Sequence, residues 1–304
     1  MPTPKVVWSP DYEVELGPHV FPTHKYRLVR EALLERGIVT PEDLIEAAQV
    51  HPAVLGRVHT PEYLHKIHDD ALSPTERYLL EVPFSRALEH SALVTCGGTL
   101  VAARLALRDG IAVHLGGGFH HAFADHGEGF CLLNDVAVAA RTLLDLGSVE
   151  RVLVLDLDVH QGNGTAHIFQ GDPRVFTFSM HQERNYPQEK MVSDLDLGLA
   201  DGMADDRYLE ALRDHLPGVL TSHRPGLAFY LAGADPYRED QLGGLRLSRE
   251  GLRERDAYAL RSLRSAGCAV AVTLAGGYAL RVQDTVDIHV ATVEEAFRVA
   301  ADSG

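Results

Sequence analysis

The 304-residue chain has little cysteine, tryptophan or basic charge. Its three cysteines, Cys96, Cys131 and Cys268, lie far apart and form no CxxC pair. That excludes a disulfide framework and fits the cytosolic pattern, so a cytoplasmic location is expected. The opening residues MPTPKVVWSPDYE contain no apolar stretch of signal-peptide length. No run of about 18 apolar residues occurs, so no membrane span is expected. Lys and Arg number 28 against 43 Asp and Glu, a formal charge of −15. A nucleic-acid backbone binder needs the opposite balance, whereas a small cationic or neutral substrate is compatible with it. No GxGxxG fingerprint or Walker loop is present. No Pro/Ser-rich linker divides the chain and no internal repeat is evident, which predicts one domain over residues 1–304. A hydrophobic content of 45% suits a large core and excludes a disordered chain. The abundant residue is histidine, with 17 copies.

Val6 to Trp8 reads as a first strand, and Thr23 or His24 to Arg36 as a helix stopped by Gly37. Thr40 before Pro41, Glu42 and Asp43 predicts another helix start, and a short helix is expected from Pro61. The polar stretch Ala71 to Pro83, with two prolines, reads as a loop. Phe84 to Leu107 is helical by periodicity. The chain then alternates. Strands are expected at Ile111 to His114, Val152 to Val159, Val175 to Ser179, Leu227 to Leu231 and Val270 to Leu274. Helices are expected at Leu132 to Leu146, Asp205 to Thr221, Ser248 to Ala266 and Gln283 to Ala301. Short strands, apolar on both faces and alternating with helices, predict an α/β fold with a parallel sheet covered on both sides.

Ligands of such sheets bind beyond the carboxyl ends of the strands, and the polar residues gather there: His114 and Gly116; Asp156, Asp158 and His160; Ser179 and His181; Gly233 to Asp235; Gly276 to Tyr278. If the VLVLDLDVH strand runs far enough, its period of two puts Asp156, Asp158 and His160 on one face. Two acids and an imidazole after an apolar run need a cation, a proton or a histidine partner. Asp158, His160 and Asp235 can supply three ligands to a catalytic zinc or similar ion, leaving a position open for water and substrate. His120 and His121 suit a loop in which one is base and the other an electrostatic partner or acid; either can also be a fourth metal ligand. Asp156 can hold His120, and Asn163 can orient His121 without adding charge. Tyr278, after two glycines, reads as an oxyanion donor or as a rim residue packing on its loop. Gly129 and Phe130 read as one wall of a channel, with Phe130 equally suited to the core. His51, His59, His65, His68, His90, His215, His223 and His289 read as surface or helix residues.

The segments GGGFHHAFADHGEGFCLLNDVAVAA, VLDLDVHQGNGTAHIF, TFSMH, LAGADPYREDQLGGL and LAGGY, in this order, resemble the zinc-dependent histone deacetylase family of the arginase/deacetylase fold. PTHKYRLVREAL and RVHTPEYL extend the resemblance over nearly the whole chain. It implies a three-layer α/β/α domain with a mostly parallel sheet of about eight strands. It implies zinc on Asp158, His160 and Asp235, a catalytic pair His120 and His121, and Tyr278 polarising the acyl oxygen. By the same resemblance Asp156 orients His120 and, with Asp158, Ser179 and nearby carbonyls, holds a structural potassium ion. Gly129 and Phe130 line an acyl-lysine tunnel, for which Tyr186 is a candidate second aromatic. Many relatives carry Asp where this chain has Asn163; HQGNG and GADPYREDQLGGLRLS are similar to the class IV branch and its bacterial relatives. The implied substrate is an acyl-lysine, acetyl or longer, and the alternative is an acetylated polyamine or another small acylated amine. A dimanganese ureohydrolase would need more bridging ligands than DLDVH and GADP provide. A non-catalytic scaffold fits poorly, because no group expected for hydrolysis is missing.

Overall fold

In the computed structural model, residues 4–302 are described; residues 1–3 and 303–304 of the expected 1–304 domain lie outside them. Among the described residues, eight strands form one sheet: β1 (Lys5–Trp8), β2 (Leu44–Glu46), β3 (Ile111–His114), β4 (Val152–Asp156), β5 (Val175–Gln182), β6 (Leu195–Leu199), β7 (Leu227–Leu231) and β8 (Ala269–Thr273). Their order is β2-β1-β3-β8-β7-β4-β5-β6, and every pairing is parallel. The helices are α1 (Lys25–Glu35), α2 (Pro52–Leu55), α3 (Pro61–His68), α4 (Pro74–Leu80), α5 (Arg86–Asp109), α6 (Asp135–Asp145), α7 (Asn163–Phe169), α8 (Asp205–His223), α9 (Arg249–Ser265) and α10 (Val282–Asp302).

Alternation along the strands feeds two cores. Leu153, Leu155, Ala228, Tyr230, Val270 and Val272 pack with α1, α8, α9 and α10. Val152, Val154, Phe229, Leu231 and Ala271 pack with α5 and α6 on the opposite face. Both faces are therefore apolar, as a covered parallel sheet requires. Among the described residues α5 alone is long and apolar enough to cross a bilayer, and 61% of its most apolar window is buried in the fold.

Several expectations need correction. The VLVLDLDV strand stops at Asp156, and residues 158–160 form a bend, so Asp158 and His160 do not sit on a strand face. The stretch Ala71 to Pro83 contains α4: Ser73 caps it, with Glu76 completing a capping box and Pro74 at the first turn. After Thr40 only a single 3₁₀ turn forms, leading into the edge strand β2. The half-exposed strand β6, at the other edge, was not foreseen. Nor was α7. His59 is buried rather than exposed, and its Nε2 accepts the Asn134 N–H at 3.1 Å.

Candidate active site at the carboxyl rim

The register sets Asp156 of β4 beside Ser179 of β5 and Leu231 of β7. The loops after these strands bring the predicted residues together, and the bend after β4 serves better than a longer strand. It lets Asp158 Oδ1 accept the His160 N–H at 3.0 Å while Asp158 Oδ2 accepts the Gly276 N–H at 2.8 Å from the loop after β8. Asp235, four residues beyond β7, accepts the Val159 N–H at 3.0 Å. A side chain at Gly276 would collide with the carboxylates of Asp235 and Asp158, so only glycine admits this approach.

Asp158, His160 and Asp235 are buried, with ligand-capable atoms within 4.8 Å of one another. His160 Nδ1 lies 3.0 Å from Asp158 Oδ1 and 3.4 Å from Asp235 Oδ2. Among the described residues, Asp235 Oδ2 is buried with no hydrogen-bond partner. Burial, together with the Asp158 charge, pushes the Asp235 carboxyl up to about 7. Burial opposes the His160 cation, but the two carboxylates drive its pKa up to about 10. Two carboxylates and an imidazole crowded in a water-poor site, one oxygen unsatisfied, are the donor set of a divalent cation such as zinc. The residues present fit that ion.

The loop after β3 delivers His120 and His121, pinned by the Thr165 N–H of α7 on His120 O at 3.0 Å. His120 Nδ1 meets Asp156 Oδ2 at 2.7 Å. Burial works against the His120 cation, yet Asp156 and Asp158 lift its pKa to about 9. His121 Nδ1 meets Asn163 Oδ1 at 2.7 Å, and burial plus the neighbouring imidazoles His120 and His160 hold it well below 6.5. The two Nε2 atoms face each other at 3.1 Å. Burial, and then the charges of Asp158 and Asp235, push the Tyr278 phenol well up, so it stays protonated as a donor. Ser179 Oγ lies 2.9 Å from His181 Nδ1.

A cleft of about 140 Å³ leads to this rim, lined by Glu81, His121, Gly129, Phe130, His160, Asn185, Tyr186, Leu242 and Tyr278. Gly129 and Phe130 have φ of +51° and +69°, and a Cβ at Gly129 would come within 2.8 Å of both His121 and Tyr186. The left-handed Phe130 is held by its N–H on Leu80 O at 2.9 Å. Phe130 thus forms a cleft wall while also packing against the core, and Tyr186 lies edge-on to His121 with ring centroids 4.8 Å apart.

Three residues here were not foreseen. Buried Lys25 donates to Ala275 O at 2.9 Å, and the Phe21, Tyr26 and Tyr278 rings surround its ammonium at 5.4–5.6 Å. Buried Arg255 donates to Leu157 O at 3.2 Å and Gly233 O at 2.8 Å, tying together the loops that carry Asp158 and Asp235. Glu128 Oε1 accepts from Asn163 Nδ2 at 2.8 Å and Tyr186 OH at 2.9 Å. For Glu128 the available signal was its place in HGEGF, between the histidine pair and the cleft wall. A lone lysine in PTHKYRL and an arginine in a charged helix carried none.

Acids, imidazoles and a protonated phenol converging on the carboxyl rim of a wholly parallel, helix-covered sheet define an enzyme of the arginase/deacetylase fold class. The sequence matches the histone deacetylase domain over residues 19–293. An uncharacterized protein of Picosynechococcus sp. is 44% identical over 285 residues, 93% of this chain and 95% of that protein. Histone deacetylase 2 of Arabidopsis thaliana is 28% identical over 286 residues, 90% of this chain and 74% of that protein. The crystal structure of an HDAC homolog complexed with SAHA shares the fold, with a TM-score of 0.82 at 23% identity, covering 98% of this chain and 84% of the other. The chain belongs to the histone deacetylase family and is a deacetylase-type hydrolase.

Proposed function

We propose that the protein is a zinc-dependent lysine deacylase, removing an acetyl or longer acyl group from the lysine side-chain amine. The carrying observation is that His160 of the Asp158–His160–Asp235 cluster lines one cleft together with His121 and Tyr278. Asp158, His160 and Asp235 would hold the ion. When bound there, zinc supplies Lewis-acid polarisation of the amide carbonyl and acidifies water. Gly129, Phe130 and Tyr186 hold the acyl-lysine stem and exclude water from it. His121, kept neutral, takes a proton from the attacking water at Nε2. The Tyr278 hydroxyl donates to the oxyanion that develops on the acyl oxygen. His121 then returns the proton to the leaving amine, while cationic His120, held by Asp156, stabilises the negative charge. The products are the free lysine side chain and a carboxylate.

Asp156, Asp158 and Ser179 would hold a structural potassium ion, supported by the β4–β5 register. A cytoplasmic setting is supported by three free, buried cysteines. A second reading, an amidohydrolase of acetylated polyamines, is favoured by Glu81 at the mouth of the cleft and by the acidic balance of the chain. The deciding experiment is an acyl-length scan on zinc-loaded protein, using acetyl- to long-chain acyl-lysine peptides alongside acetylputrescine and acetylspermidine. Turnover of the lysine peptides is expected. Faster turnover of the polyamines would favour the second reading, and no turnover of any of them would refute both.

A further inference from the structure

The amide of Asn163 adds no charge behind His121, but the chain of contacts continues past it. We propose that Glu128 is a positioning residue for deacylation, acting through Asn163 to fix which nitrogen of His121 carries the proton. The proposal rests on the deacylase reading, in which His121 is the base. A carboxylate only accepts hydrogen bonds. Glu128 Oε1, 2.8 Å from Asn163 Nδ2, therefore compels the amide to turn its NH₂ toward Glu128 and its oxygen toward His121. An acceptor at 2.7 Å from His121 Nδ1 places the proton on Nδ1 and leaves Nε2 unprotonated, 3.1 Å from His120 Nε2. With the amide reversed, Nδ1 would become the acceptor and Nε2 the protonated atom, unable to act as a base.

Glu128 is well placed to impose this. Its turn is closed by the Glu128 N–H on Cys131 O at 3.1 Å and the Cys131 N–H on Glu128 O at 2.9 Å. Its neighbour Gly129 is anchored to Leu79 O at 3.0 Å. The same Oε1 accepts the Tyr186 hydroxyl, so one oxygen sets both the orienting amide and the cleft wall that lies against His121. The second oxygen lies 3.6 Å from His126 Nε2.

The test moves the carboxylate by one link. Glu128→Gln removes the acceptor-only end and should lower kcat about 10- to 100-fold with little change in KM. Asn163→Asp alone sets two carboxylates face to face and should also lower kcat. Asn163→Asp combined with Glu128→Gln puts a carboxylate directly on His121 and an amide donor behind it; the carboxylate raises the His121 pKa, so the acid limb of the kcat profile should move to higher pH while the alkaline plateau recovers to within about threefold of the parent chain. A merely structural Glu128 predicts instead that the two losses add. A second readout is independent of turnover: imidazole ¹⁵N NMR of the metal-free chain should show His121 as the Nδ1–H form in the parent and the double variant, and a mixture of tautomers in Glu128→Gln. Full kcat in Glu128→Gln, additive losses, or an unchanged His121 tautomer would overturn the proposal. If the parent chain cleaves no acyl-lysine, the functional reading falls, while the NMR comparison still decides the role of Glu128.

Discussion

The inner pocket around His120 and the outer pocket around His121 are one residue apart in sequence and 4.1 Å apart between ring centroids, yet they hold their imidazoles in opposite states. Both rings are buried. Burial alone would neutralise both, and at His121 it does so, reinforced by two imidazole neighbours. At His120 the two carboxylates Asp156 and Asp158 overcome it. The difference teaches that the partner behind each ring, not the depth of burial, assigns its role. In the proposed mechanism, the carboxylates of Asp156 and Asp158 make His120 a fixed cation, and the amide behind His121 holds the proposed base in place without raising its pKa.

That contrast can be broken at several points. The largest effect is expected from Asp158→Ala, which removes a charge bearing on both pockets and one of three ligand-capable groups; metal and hydrolysis should be lost together, and stoichiometric zinc retained by the variant would refute the ligand role. Tyr278→Phe leaves both histidine pockets intact and removes only the proposed donor to the oxyanion. It should lower kcat about 10²- to 10³-fold with metal content unchanged, and full activity would sink that role. Asp156→Asn makes the two pockets alike by putting an amide behind both rings. It should cost about 10- to 100-fold in kcat, and imidazole NMR should show His120 losing its charge at neutral pH. The smallest effect concerns His59, a buried imidazole outside the site, whose pKa burial lowers to about 4. The unfolded chain binds the proton near pH 6.5 and the folded chain only near pH 4. This histidine's contribution is therefore intact above pH 6.5 and lost as pH falls toward 4, at most about 3 kcal/mol. Urea midpoints at pH 7.5 and 5.0 should differ less in His59→Asn, whose side chain can still accept the Asn134 amide, than in the parent.

Residues that follow a strand or carry a charge pattern were legible in the sequence. VLVLD, LAFYL and AVAVT announced central strands because both their faces are apolar, and the polar residues after them located the rim. The end of β4 was not legible, because the apolar residues Leu157 and Val159 continue the pattern while Asp158 and His160 turn to meet Gly276 and Asp235 across the sheet. Strand β6 escaped notice because its outer edge is half exposed and LDLGL carries Asp and Gly at positions where a central strand is apolar. Helix α4 was hidden by its prolines: Pro74 sits in the first turn, where it needs no hydrogen bond, and not in the interior. Glu128, Lys25 and Arg255 act through contacts between residues distant in sequence, which no local spacing encodes.

The division of labour between the pockets is tested most directly by measuring kcat on one acyl-lysine peptide for zinc-verified His121→Ala and His120→Ala. The account predicts that His121→Ala loses about 10²- to 10⁴-fold and that His120→Ala, which removes only the fixed cation, loses clearly less. Equal losses, or a greater loss in His120→Ala, would contradict it.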